Sequence, residues 1–428
     1  MKKRFSELRS LEARMNLRFL TSVAVLALMA GCTDSTGASV ATTPSGRVSS
    51  AHTATPTPTP TAPPERFTVS SGGDILLHLS VNEDARTGDG HYDYTPYYAP
   101  MKDFIANSDL ALCALEIPIV APDQQPSNYP NFGAPHDLAK SLAAVGFDGC
   151  AFATNHTMDR GFGGVETTVA ALSEAGLGWA GAARTQEEAD QIQFYTLTGK
   201  NHSVKIAHIS ATTLTNGIPI PAQHPYSWNV VGNLGAPVQS VVEDAKRARS
   251  LGADIVIVSM HWGTEYVSEP IEEQLEISRV LADSGQVDLV FGNHSHVPEP
   301  LDKLPGGPKG QGMWVVYSMG NQISGQTVEN HGHRVTTGLL TTATIEANEA
   351  GASVVDFDWM AVTHDRRAGE KLWPLQPLVR GERPEGLGLS ASEIQARADV
   401  TYPVMATSGP ERTVAPTSTG ATLSASRK

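Results

Sequence analysis

Asp254-Ile255-Val256-Ile257-Val258-Ser259-Met260-His261-Trp262-Gly263 is the stretch whose reading decides the fold. Its apolar run has no polar alternation, so it reads as a strand covered on both faces, and it ends on an imidazole. Helical patterns flank it over 238–251 and 270–282, the second with Ser268 as the expected N-cap and Pro270 in the first turn. Working outward, strands are expected over 67–79, 110–115, 149–153, 204–210, 287–291 and 313–318. Further helices are expected over 135–145 and 164–175, and alternation over 338–362 reads as antiparallel. Strands alternating with helices plus an antiparallel portion imply a mixed α/β sandwich, whose ligands sit beyond the carboxyl ends of strands.

Five polar patches fall at those strand ends. They are Gly73-Asp74, Leu115-Glu116, Asn155-His156, Met260-His261 and His294-Ser295-His296. Each alone has a bland reading: a turn Asp, a loop-capping Glu, a structural His. Together they bring carboxylate, amide and imidazole donors to one end of the sheet, the donor chemistry of manganese, iron or zinc. Glu116 suits a carboxylate shared by two ions, and His294 and His296, two apart on an extended segment, face one cavity. Asp159 is three residues past His156 and can accept from its ring to orient it.

Composition bounds the partners. The 428 residues carry 40% apolar and 18% charged side chains and a net charge of −14, which argues against nucleic acid. Residues 1–32 combine a basic start, an apolar stretch over 19–29 and Ala30-Gly31-Cys32, the pattern of an export signal. The end of that segment resembles a bacterial lipobox, which implies a diacylated Cys32 and anchoring at the extracytoplasmic face of the cell membrane; ordinary cleavage and secretion is the alternative. Met15 offers a second start that makes the signal more compact. Residues 33–66 are Thr/Pro-rich and read as a disordered stalk, 67–406 as the folded domain, and 407–428 as a disordered tail. Cys113 and Cys150 are expected as two free buried thiols.

In order and spacing the patches resemble the CapA-like family of bacterial capsule (poly-γ-glutamate) synthesis proteins. The matching segments are Gly73-Asp74-Ile75-Leu76-Leu77, Leu115-Glu116-Ile117-Pro118, 153–161, His261-Trp262-Gly263-Thr264-Glu265-Tyr266, 292–297 and 317–321. That resemblance implies the four-layer α/β/β/α sandwich, with mixed sheets, of calcineurin-type metallophosphoesterases. It also implies one or two divalent metals: Asp74 and His296 on one, Asn155, His261 and His294 on the other, and Glu116 between them. His156, oriented by Asp159, is then the catalytic residue of a metal-dependent hydrolase acting on a phosphoester or cell-envelope polymer. The alternative is a non-catalytic accessory protein that binds an anionic polymer beside a membrane synthase or exporter. Leu76 departs from the phosphoesterase pattern, which has His there, and Glu116 stands where those enzymes carry Asp.

Overall fold

Every apolar run singled out above becomes a strand in the computed structural model, which describes residues 62–367 and 369–428. In chain order the strands are β1 (Glu65–Leu76), β2 (Leu110–Leu115), β3 (Gly149–Ala151), β4 (Gly178–Ala180), β5 (Gln193–Thr198), β6 (Ser203–Thr212), β7 (Ile255–His261) and β8 (Leu289–Asn293). Then follow β9 (Leu301–Leu304), β10 (Met313–Val316), β11 (Asn321–Ser324), β12 (Thr337–Asn348), β13 (Gly351–Asp365), β14 (Lys371–Pro374) and β15 (Thr422–Arg427). One sheet runs β14-β13-β12-β1-β2-β3-β4, with β11 also paired to β1. The other runs β15-β5-β6-β7-β8-β10-β9. Both are mixed: β1 to β4 and β6-β7-β8-β10 are parallel, while β12 to β14, β5, β9 and β15 join antiparallel.

Side-chain alternation assigns the layers. Phe67, Val69, Leu110 and Leu112 of the first sheet pack with Leu197, Ile206, Ile257 and Phe291 of the second, forming the core between the sheets. The alternate residues Ala111, Cys113 and Leu115 meet Leu138 and Leu142 of helix Asp137–Val145 and Val165 and Val169 of helix Gly161–Glu174. On the far side, Val256, Val258 and Val290 meet Val241 and Ala245 of helix Gln239–Ser250 and Ile277 and Leu281 of helix Glu272–Asp283. The result is the expected α/β/β/α sandwich. Each fully buried Val, Ile, Leu or Phe contributes about 1.5–3 kcal/mol before chain entropy is counted.

Several expectations need correction. The first strand stops at Leu76, and His78 precedes a short helix, Leu79–Asp84. Ser268 does not cap the helix that begins at Glu272: the Ile271 N–H donates to the Gln274 side chain at 2.8 Å, and Pro270 lies outside the helix. Cys113 and Cys150 are not free thiols. They sit in register on β2 and β3, with Cα atoms 4.4 Å apart, and form a disulfide. Their 37-residue separation in sequence carries no hint of that register.

The stretch 407–428, expected as a disordered tail, contains β15, which pairs with β5 and closes that sheet edge. Its Arg427 stacks over Trp179 at 4.5 Å and donates to the Trp179 carbonyl. An edge strand is held by backbone hydrogen bonds, so a Thr/Ser/Ala composition does not preclude it. The export signal, Cys32 and most of the Thr/Pro stalk lie outside the described residues. Among the described residues no helix is long and apolar enough to cross a membrane.

Candidate metal centre

The donors converge because β1, β2, β7 and β8 are neighbours or face one another, and each delivers its polar residue at the carboxyl end. Asp74 lies at an irregularity in β1, where pairing passes from β12 to β11. Its N–H donates to the Gly320 carbonyl at 2.8 Å, and a side chain at Gly73 would collide with that same carbonyl. Glycine is therefore required just before the aspartate. His294 and His296 have φ of 101° and 59°, the left-handed region that costs a side-chain-bearing residue energy and clusters at functional sites. The His294 N–H, donating to Asp74 Oδ2 at 3.1 Å, secures that turn.

Asp74, Glu116, Asn155, His261, His294 and His296 all lie in this one buried cluster. Glu116 is central: its Oε1 is 3.6 Å from His261 Nε2 and 3.7 Å from His296 Nε2. His261 Nε2 also lies 2.8 Å from Asn155 Oδ1, and its Nδ1 is 3.9 Å from Asp74 Oδ1. Donor atoms of Glu116, His294 and His296 come within 4.8 Å of one another, close enough to share one ion. The His294 ring centroid lies 5.0 Å from that of His261 and 5.9 Å from that of His296, so His294 stands within reach of both rings and the partition into two ligand sets is less sharp than the sequence suggests.

The chemistry of this cluster suits a cation. Asp74 Oδ1, both Glu116 oxygens and His294 Nδ1 are buried without a hydrogen-bond partner. Each such atom costs about 1–3 kcal/mol, and more when charged, unless something compensates it. Burial holds His261 and His294 well below the usual imidazole range, so both are neutral and able to ligate. Burial also drives Glu116 well above the carboxylate range. Burial alone would lower His296, but the Glu116 and Asp74 carboxyls outweigh it and lift it to about 9. Glu116 and His296 together keep a proton that a divalent ion would displace.

Beside the cluster opens a cavity of about 470 Å³ lined by His78, Tyr129, Phe132, His156, Tyr266 and His331, among others. His156 Nδ1 bonds Asp159 Oδ2 at 2.7 Å, and Asp159 also accepts from the Phe132 N–H at 2.8 Å. That leaves His156 Nε2 as the nitrogen without a protein partner. His78 does not replace the histidine missing at Leu76: its Nδ1 accepts from the Gly325 N–H at 3.0 Å, its ring packs on Phe132, and burial lowers its pKa to about 4.

Three residues near the site escape the sequence reading. Asn216 accepts from the Asn155 amide at 3.2 Å and lies 3.5 Å from His156 Nδ1. Gln326 lines the cavity. Glu299, fully buried behind the His294–His296 turn, accepts from Gln274 at 2.7 Å. Only Glu299 had a signal, a carboxylate three residues past the His-x-His pair.

Glu299 makes a pH prediction. Burial raises its pKa from 4.5 to about 7, so the folded state binds the proton more tightly than the unfolded state. Stability is therefore favoured below pH 4.5 and falls as pH rises toward 7. Glu299→Gln should remove this fall, worth on the order of 3 kcal/mol at most. Urea denaturation at several pH values checks it; an unchanged slope in the variant counts against the assignment.

The family described as bacterial capsule synthesis protein PGA_cap matches residues 68–326. Capsule biosynthesis protein CapA of Bacillus anthracis is 26% identical over 269 residues, which span 61% of this chain and 61% of that protein. PGA biosynthesis protein CapA of Bacillus subtilis is 28% identical over 231 residues, spanning 52% of this chain and 57% of that protein. The chain thus covers less than two thirds of either relative. A solved calcineurin-like phosphoesterase from Bacillus subtilis aligns over 79% of this chain and 98% of its own, with a TM-score of 0.38 and 13% identity.

Proposed function

The chain belongs to the bacterial capsule synthesis protein family, and from that premise we propose that it is an exported, lipid-anchored hydrolase of the cell envelope that uses a divalent metal. Its substrate class in this reading is a phosphoester or a bond of an envelope polymer. The observation that carries the proposal is the set of buried, unpartnered carboxylate oxygens on Asp74 and Glu116, surrounded by imidazoles, next to a cavity that holds the Asp159-bonded His156. The Cys113–Cys150 disulfide supports an oxidising, extracytoplasmic location. Cys32 is the proposed lipidation site.

Asp74, Glu116, Asn155, His261, His294 and His296 would hold manganese, iron or zinc. When bound, such an ion supplies Lewis acidity and lowers the pKa of a water beside it. Asp159 keeps the His156 Nδ1 proton in place, so Nε2 can pass a proton to a leaving oxygen. Tyr129, Tyr266 and His331 offer an anionic substrate hydrogen-bonding groups in the cavity wall, to which Glu265 also contributes a carboxylate.

Leu76 favours a second reading. Metallophosphoesterases have a histidine ligand there, so the side of the site near Asp74 and His296 has one donor fewer. A site of that kind can bind the carboxylates of an anionic polymer through one ion without cleaving them, as an accessory to a membrane synthase or exporter.

Elemental analysis of the purified protein, beside His261→Ala, tests the centre on which both readings depend. About one or two equivalents of manganese, iron or zinc are expected in the wild type and a loss in the variant. A wild type that takes up none of the three on reconstitution would remove the hydrolase reading.

A further inference from the structure

His296 is held by a hydrogen-bonded chain that runs from the buried cluster into the wall of the cavity. Its Nδ1 is 3.1 Å from Asn321 Oδ1. Both donors of the Asn321 amide are committed, to Gln326 Oε1 and to the Val335 carbonyl, each at 2.9 Å. The amide therefore cannot flip, and its oxygen must face His296. Gln326 is oriented in turn, since its Nε2 donates to the Tyr266 hydroxyl at 3.1 Å. Tyr266 has φ of 65°, donates its own N–H to the Ser295 carbonyl at 2.7 Å, and stacks on His331 at 4.2 Å. Asn321, His296 and Gln326 are all more than nine-tenths buried.

From this geometry we infer that Asn321 is a positioning residue that keeps the His296 Nδ1 proton in place and reserves Nε2 for a metal ion, with Gln326 and Tyr266 locking the Asn321 amide from the cavity side. The inference rests on reading the cluster as a metal centre. An acceptor on the non-ligating nitrogen sets ring orientation and ligand basicity, and its loss typically costs 10–100-fold in metal affinity. Asp74 Oδ2 lies 3.3 Å from the same Nδ1 and also accepts from the His294 N–H, so Asn321→Leu reads what the Asn321 oxygen adds beside that carboxylate.

The test titrates Mn²⁺ into the full-length wild type, Asn321→Leu, Gln326→Leu and Gln326→Glu. In parallel, the His296 Nδ1–H resonance is followed in ¹⁵N-histidine-labelled protein. Asn321→Leu is expected to weaken Mn²⁺ binding about 10- to 100-fold and to lose that resonance. Gln326→Leu should weaken binding less. Gln326→Glu keeps the acceptor for the Asn321 amide and should bind like the wild type, a difference that a purely packing role would not produce. Wild-type affinity in Asn321→Leu overturns the inference, as does equal weakening in the two Gln326 variants. If Asn321→Leu fails to fold, the Gln326 pair decides. If the wild type takes up no Mn²⁺, the same titration is made with Zn²⁺ and Fe²⁺; uptake of none of the three makes the metal reading fail separately, and an unchanged Nδ1–H resonance in Asn321→Leu overturns the positioning role.

Discussion

Glu116→Gln is expected to remove most of the stabilisation that a divalent metal would confer at the proposed centre. Glu116 is fully buried, neither of its oxygens has a hydrogen-bond partner, and it stands between His261 and His296. Glutamine matches its shape but exchanges one anionic oxygen for an NH₂ group, which cannot ligate. Replacing a carboxylate shared by the whole cluster with a neutral amide, which keeps one uncharged ligating oxygen, should lower affinity by at least the 10- to 100-fold typical of outer-shell partners. A ligand at 100 to 1,000 times its Kd stabilises the folded state by about 2.7–4.1 kcal/mol. The wild type should therefore melt several degrees higher with Mn²⁺ or Zn²⁺ than without it, and the variant should show a much smaller difference at the same metal concentration. Each protein serves as its own metal-free control, so a change in baseline stability cannot imitate the result. A full metal-induced shift in Glu116→Gln would remove Glu116 from the ligand set.

His156→Ala is expected to separate catalysis from metal retention. Its ring is bonded through Nδ1 to Asp159 and lines the cavity beside the donor cluster. Losing a positioned general acid typically costs 10²–10⁴ in rate, about 2.7–5.5 kcal/mol of barrier. Hydrolysis of an aryl phosphate ester, or of whichever envelope polymer proves to be cleaved, should fall by that factor while metal content stays at the wild-type level. Unimpaired turnover would exclude His156 as the acid. A wild type that binds metal and anionic polymer but hydrolyses nothing would support the accessory reading.

The polar patches were legible because strand-end placement follows from local pattern: an apolar run, then a donor, then a turn. Asp74, Glu116, Asn155, His261, His294 and His296 could all be read this way. Asn216 and Gln326 could not, since an amide in a loop resembles any other solvated residue until the fold places it, here Asn216 beside His156 and Gln326 between Asn321 and Tyr266. Cys113 and Cys150 were misread for a related reason. Local sequence correctly makes both residues core, but only the register of β2 against β3 makes them partners.

The chain's order of apolar runs and helical patterns by itself determined the α/β class, the covered sheets and the end of the molecule at which the donors gather. These are properties of periodicity, and periodicity is local. The tertiary structure alone decided how the donors meet: that Glu116 lies between two histidines, that His294 stands within reach of both His261 and His296, and that the Asn321 amide oxygen faces the His296 ring. It also decided that residues 422–427 pair with β5 instead of remaining free. Such outcomes depend on backbone hydrogen bonds and on contacts between residues up to hundreds of positions apart, and neither leaves a periodic trace in the sequence.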